Sequence, residues 1–253
     1  MLENVIVVLH RPSSAENLGA VARVLKNFGL ARLSVVEPPA WSGRPRSGRP
    51  GSARADVMRR ARRTARHAAD LLSAAEVHRD LASALAETTW SCGTSSRRVA
   101  GREPLSPLEL GSELERRSRG GPVAIVLGEE RRGLSDAELE LCPAVCTIPT
   151  SATYDSMNLA QAAAVLCYEA SRAAAGGPRG GAPREPARHR TVEALWGRVA
   201  ALLDAAGYLN PQNPRAILAE WRRLLGRAEP TQREVELLLA AARALERRLR
   251  VGS

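Results

Sequence analysis

The sequence predicts an α/β fold, a parallel sheet covered by helices, with a small all-α module after it. Three observations carry this. Across residues 123–168 two apolar runs of strand length, VAIVL and AVCTIP, each deliver the chain into a polar loop followed by a helical pattern. The N-terminal segment shows the same order: an apolar run over residues 4–9, the polar stretch HRPSSAEN, then a helical stripe of Leu18, Val21, Leu25 and Phe28. Beyond the Gly- and Pro-rich GGPRGGAPREP of residues 176–186, only helical patterns remain.

Taken in order, residues 4–9 read as a buried strand, and Gly29 reads as the stop of the first helix. Gly19 and Arg23 are four apart and share a face outside the apolar stripe, which suits a helix whose first turn approaches a ligand, with Arg23 aimed at an anion. A capped surface helix with an ordinary exposed arginine fits the same residues. A second strand over residues 33–36 ends at Glu37-Pro38-Pro39. Residues 43–66 then hold nine arginines, first among Gly, Pro and Ser and then in a helical pattern; this is either an RNA-contacting arm or a solvated insertion. Regular patterns resume at residues 80–85 and in a strand over residues 88–92 that leads into GTSSRR, and residues 104–121 form a polar connection of helical character.

Ser135 and Glu138 make a capping box that starts the helix after the first central strand. The helix after the second begins near Asp155 or Ser156 and buries Leu159, Ala163, Leu166 and Ala170. Three amphipathic helices follow the linker. The first carries Leu195, Trp196, Val199, Leu202 and Leu203, and the second has Pro214 in its first turn with Leu218, Trp221 and Leu225. The third opens on Thr231 and Glu234, another capping box, and runs through Leu238, Ala242, Leu245 and Leu249. The expected division is an α/β domain over residues 1–175 with a basic insertion at about 40–66, a linker over residues 176–190 and a helical extension over residues 191–253. About 60 residues make a marginal core, so the extension is expected to dock on a larger body.

The net charge of +10 points to a polyanionic partner, RNA or DNA. Lys26 is the single lysine, a bias that explains arginine in place of lysine but not an excess of cations over carboxylates. Cys92, Cys142, Cys146 and Cys167 form no CxxC pair and the four histidines are scattered, so no metal site is expected. No apolar run reaches membrane length, and a reduced, cytoplasmic protein is the expectation. Ligands of open α/β sheets bind at the loops leaving the strands' carboxyl ends, so GEERRG and TSATYDSMN should lie together at a small-molecule pocket. Neither GxGxxG nor GxxxxGK[ST] occurs, which excludes those dinucleotide and nucleotide-phosphate signatures.

NLGAVARVLKNFG, IVLGEERRGLS and YDSMNLAQA, in that order, resemble the three motifs of the SpoU or TrmH-type RNA ribose 2′-O-methyltransferases of the SPOUT superfamily. Within that family the GTSSRR loop and the helical extension are most similar to the bacterial tRNA (cytidine/uridine-32)-2′-O-methyltransferases. The resemblance implies a SPOUT-type parallel sheet with a trefoil knot in the carboxyl-terminal part of the α/β domain, S-adenosylmethionine as cofactor, tRNA as substrate and a homodimer. By motif position it implies a cofactor pocket of Thr94, Ser95, Ser96, Gly128, Ile148, Asp155, Ser156 and Met157, and catalytic roles for Arg23, Asn17, Glu130, Ser156 and Asn158. Gly128 is expected to let backbone groups approach the ligand. Asn17 and Glu130 are expected to organise Arg23 and the loop. Glu129 departs from the subgroup's usual arginine, and Met157 from its leucine. An rRNA ribose methyltransferase of the same superfamily, or a non-catalytic RNA-binding protein with this fold, is the alternative. A first strand within a few residues of Met1 favours tRNA, and five polar motif residues together favour catalysis.

Overall fold

The apolar runs form one wholly parallel sheet of six strands: β1 (Val5–His10), β2 (Arg32–Val36), β3 (Glu76–His78), β4 (Trp90–Thr94), β5 (Val123–Leu127) and β6 (Ala144–Cys146), in the order β3-β2-β1-β5-β4-β6. The computed structural model describes residues 2–37, 52–151, 153, 156–176, 185–209 and 214–251. In the centre, Val7 of β1 pairs with Leu33 on one side and Ile125 on the other. Successive side chains of a strand point to opposite faces, and here both faces are covered. Val5, Val7 and Leu9 enter one apolar layer, Ile6 and Val8 the other.

Helices α1 (Ala15–Asn27), α2 (Ser52–Ala65), α3 (Ala69–Ala74), α4 (Leu81–Leu85), α5 (Pro107–Arg117) and α6 (Asp136–Glu140) connect the strands, and α7 (Leu159–Ala175) follows β6. The first layer is filled from α1, α2, α3, α5 and α7, through residues such as Leu25, Ala61, Leu72, Leu114 and Leu166. The second takes Leu81 and Leu85 from α4 and Leu139 from α6. The α/β class with parallel strands is therefore the one predicted, and both faces are closed because nearly every strand residue is apolar.

Three details depart from the sequence expectation. Gly19 gives room to a neighbouring helix rather than to a ligand: a Cβ there would overlap Ala61 O and Thr64 Oγ1 of α2. β3 escaped prediction because it is a three-residue edge strand, pairing only with β2 and leaving Val77 43% exposed. The last helix of the α/β domain starts at Leu159, not at residue 155 or 156, because Asn158 has extended backbone and its side chain accepts the Ala160 N–H as the cap. Of the basic insertion expected at about residues 40–66, residues 40–51 lie outside the described residues, residues 52–65 are α2 and Arg66 begins a short turn after it.

The helical extension consists of α8 (His189–Ala205), α9 (Pro214–Ala228) and α10 (Gln232–Val251). Its own core is small, built on Ala187, Leu195, Val235 and Leu239, as a segment of this length allows. Docking on the α/β domain supplies the rest. The His189 N–H donates to Thr88 O, its ring Nε2 lies 2.9 Å from Leu141 O, and Glu229 accepts from Arg116 and Arg117 of α5. Residues 185–190, expected as linker, are tied down instead: Glu185 O accepts from Gln232 N, Ala187 N donates to Pro230 O, and α8 has begun at His189. Residues 177–184 lie outside the described residues. Among the described residues no helix is long and apolar enough to cross a membrane.

Candidate active site

The three motif loops leave the carboxyl ends of β1 and β5 and follow β6. They converge through one chain of hydrogen bonds. At the end of β1 the backbone of Arg11 takes a left-handed conformation (φ 52°), uncommon for a side-chain-bearing residue, and turns the chain toward β5. Ser14 then caps α1, its side chain accepting the Asn17 N–H. Glu130, arriving from β5, accepts from Ser13 N at 2.9 Å, Ser13 Oγ at 2.8 Å, Ser14 N at 3.3 Å and Asn17 Nδ2 at 2.9 Å. Asn17 Oδ1 in turn accepts from Asn158 Nδ2 at 3.0 Å, and Asn158 Oδ1 caps α7. Burial pushes the Glu130 carboxyl upward, but hydrogen bonds from Asn17 and Ser13 outweigh it and hold the group below the ordinary carboxylate value. The relay has a fixed direction, because a helix N–H sets one end and an acceptor-only carboxylate the other.

Beside this relay lies a cavity of about 310 Å³, of the size that holds small ligands. Thr94, Ser95, Ser96, Gly128, Glu130, Ile148, Ser156 and Met157 all line it. Its floor is apolar, with Leu127, Leu134 and Leu159, while hydroxyls and the charged Glu129, Arg131 and Arg132 stand at its sides. Thr94 Oγ1 donates to Val126 O and Ser95 N to Cys146 O, so the GTS loop is pinned across β5 and β6. Gly128, which lines the cavity, has a further reason to lack a side chain. The loop folds back so that Gly133 N donates to Glu129 O, and a Cβ at Gly128 would overlap the backbone of Gly133 and Leu134. Gly133 itself has φ +65°.

Of the predicted site residues, Asn17 and Asn158 join the relay without lining the cavity, and Asp155 lies outside the described residues. Arg23 is exposed on α1, does not line the cavity and makes no hydrogen bond to Asn17 or Glu130, so those two residues organise the β1 loop and the start of α7 rather than Arg23. Sequence reasoning missed Ser13 and Ser14. The serine pair just before an Asn-containing first turn was the available signal, since N-cap residues carry free acceptors and donors to neighbouring loops.

The four cysteines are buried, and burial raises Cys146 to about 12 and Cys142 to about 11, which leaves them protonated. Among the described residues no cluster of His, Cys, Asp and Glu could hold a metal ion. A larger cavity, about 510 Å³, lies between the α/β domain and the helical extension. No residue of the three motifs lines it, and Arg117 and Arg222 on its walls are already matched by Glu229 and Glu193.

Comparison with known proteins agrees with this geometry. The SpoU rRNA Methylase family profile matches residues 4–168, and the profile of the tRNA methyltransferase TrmJ C-terminal domain matches residues 190–253. The tRNA (cytidine/uridine-2′-O-)-methyltransferase TrmJ of Cronobacter sakazakii is 31% identical, over 97% of this chain and 97% of its own. The protein of the same name from Yersinia pestis is 30% identical, over 98% and 93%. The crystal structure of TrmJ from Z. mobilis ZM4 superposes with a TM-score of 0.77 at 29% identity, covering 95% of this chain and 98% of that one.

Proposed function

The chain belongs to the SpoU rRNA Methylase family, and from that membership we propose that it methylates a ribose 2′-oxygen of tRNA, at the cytidine or uridine of position 32 in the anticodon loop, with S-adenosylmethionine as donor. The observation that carries this reading is the relay from Glu130 through Asn17 to Asn158, which ties all three motifs to the rim of one cavity. The curated relatives named for tRNA methylation run the full length of the chain, and the match at residues 190–253 favours tRNA over rRNA.

The cavity suits the donor. Its apolar floor can take an adenine ring, its hydroxyls and loop N–H groups a ribose, and the mixture of Glu129 with Arg131 and Arg132 an amino-acid end bearing both charges. S-adenosylmethionine supplies a methyl group already activated by its sulfonium, so the protein's task is to align the ribose oxygen with the methyl carbon and ease loss of the hydroxyl proton. The Glu130 relay ties the β1 loop to the start of α7, where Asn17 and Asn158 bond directly beside the cavity. Glu130 is a positioning residue in this scheme; Ser156, exposed on the cavity wall, faces the ligands.

Arg23 serves as a cation that holds a target phosphate and stabilises charge developing on the 2′-oxygen. A guanidinium keeps its proton in proteins, which argues against a role as base. Since it stands outside the cavity of its own chain, it acts on RNA lying across the rim or at the site of a second copy. Leu108 and Tyr168, 54% and 51% exposed on α5 and α7, give a homodimer an apolar face next to the groove that shares Ile148, Ser156 and Met157 with the cavity. A trefoil knot in the carboxyl-terminal half of the α/β domain, a boundary near residues 176–190 and a cytoplasmic location complete the proposal.

The deciding experiment is labelled-methyl transfer to total tRNA and to rRNA, followed by nuclease mapping and a 2′-deoxy substitution at the labelled nucleotide. Label at position 32 of tRNA that vanishes on 2′-deoxy substitution is expected. Methylation retained on the deoxy substrate would move the target to the base.

A further inference from the structure

This inference rests on the RNA-methylation reading and adds where the RNA backbone runs. α2 directs Val57, Ala61 and Ala65 into the core against α1. Helical geometry therefore sends Arg59, Arg62 and Arg63, spaced i, i+3 and i+4, to the opposite side, and all three are exposed. Arg66, just past the helix end, is also exposed and has its backbone in the left-handed region (φ 54°). From residue 59 to the helix end at residue 65 the rise is about 9 Å at 1.5 Å per residue. At ~3.4 Å per nucleotide along one strand, that matches about three nucleotides of backbone.

The row is poorly neutralised. Arg59 pairs with Asp56, and Arg62 reaches only Ser73 Oγ, at 3.5 Å. Among the described residues no carboxylate pairs with Arg62, Arg63 or Arg66. Arginines that hold this fold together behave otherwise: Arg60 binds Glu16, Arg117 binds Glu113 and Glu229, and Arg222 binds Glu193 in two parallel bonds. Like charges one helical turn apart repel, so the row weakens α2 unless a polyanion covers it.

Its place in the fold leads to the site. Arg60 bonds to Glu16, whose carboxylate also accepts from Ser14 Oγ in the loop that Glu130 holds. α1 and α2 run alongside from there, through Gly19 against Ala61 and Thr64, to Lys26 on His67 O. Arg23 is exposed on α1 one turn past Gly19. We propose that Arg59, Arg62, Arg63 and Arg66 form a track that binds consecutive phosphates of the RNA substrate and leads its backbone to the rim of the active site. Guanidinium forks suit phosphate, and such contacts set register and orientation without reading sequence.

The test is an Arg62→Gln, Arg63→Gln, Arg66→Gln triple variant of the full chain, with tRNA binding measured across a salt series and methyl transfer measured separately. Arg66→Gly serves as a second variant, since it removes a cation while relieving a left-handed residue. The slope of log affinity against log salt should shrink by about 2, from about 0.7–0.9 per lost phosphate contact. The KM for tRNA should rise about tenfold or more at physiological salt, while kcat and S-adenosylmethionine affinity hold and the melting temperature holds or rises slightly as the like charges are removed. An unchanged slope and KM would overturn the track and leave the face to solvent or a protein. If the unaltered chain binds tRNA but transfers no methyl group, the methylation reading falls, and a reduced slope in the triple variant would still support the track.

Discussion

Replacing Glu130 by glutamine changes one atom type and leaves shape intact, which isolates the polarity of the relay. The carboxylate accepts four hydrogen bonds, from Ser13 N and Oγ on one oxygen and from Ser14 N and Asn17 Nδ2 on the other. A glutamine amide offers one oxygen and one NH2, so the NH2 faces either the two donors Ser14 N and Asn17 Nδ2 or, turned over, the Ser13 N–H, with the Ser13 hydroxyl then free to accept; at least one donor is left facing a donor. Turning Asn17 over does not rescue it, because its Oδ1 is needed by Asn158 Nδ2, and Asn158 cannot turn while its Oδ1 caps α7 at Ala160. An unsatisfied buried donor costs about 1–3 kcal/mol. Glu130 is only half-buried, water can reach part of the cluster, and the lower end, about 1–2 kcal/mol, applies. If that misalignment is carried into the transition state, kcat falls roughly 5- to 30-fold at about 1.4 kcal/mol per decade. Labelled-methyl transfer to tRNA at saturating donor reads this, with calorimetric donor binding and a melting curve as controls. A Glu130→Gln enzyme with unaltered kcat and a normal melting curve would refute the idea that the relay's direction positions the site. The depressed Glu130 pKa adds a sign: its stabilising contribution is full above the unfolded carboxylate value of about 4.3 and is lost as pH falls through the folded value, and the glutamine variant should lack that acid limb.

Arg23→Ala should leave melting within about 0.5 kcal/mol of the parent, since the side chain is exposed, and should leave donor binding intact while methyl transfer is lost; unchanged turnover would remove Arg23 from the mechanism. Gly19→Ala should cost about 1–3 kcal/mol, because the new methyl meets the Ala61 carbonyl, and thermal unfolding should register a drop of about 2–4 °C per kcal/mol. His189 is held below the usual histidine value by burial, against the raising effects of Glu193 and Leu141 O. Its contribution to docking is therefore full above about pH 6.5 and is lost as pH falls below it, so a melting-temperature series from about pH 8 to 5 should decline less in His189→Gln than in the parent.

The sequence by itself determined the layered α/β class, because strands buried on both faces must be apolar at nearly every position, as in VAIVL, and capped helices announce themselves, as at Ser135 with Glu138 and Thr231 with Glu234. It also singled out Gly128, Glu130, Ser156 and Asn158, since motif residues keep their order along the chain. What only the tertiary structure decided were relations between distant segments. The bonds of Glu130 to Ser13 and Asn17 span more than a hundred residues, and no local period encodes them. Gly19 and Gly128 looked alike in sequence as places for a ligand; packing gave Gly19 to a neighbouring helix and left Gly128 at the cavity with its own loop folded against it. Arg23 has an exposed place outside the cavity because helix rotation, fixed by which residues of α1 meet the sheet, decides where an arginine points. Hydrophobic burial thus writes the elements into the sequence residue by residue, while a site depends on which polar groups the packed elements leave within hydrogen-bond reach of one another.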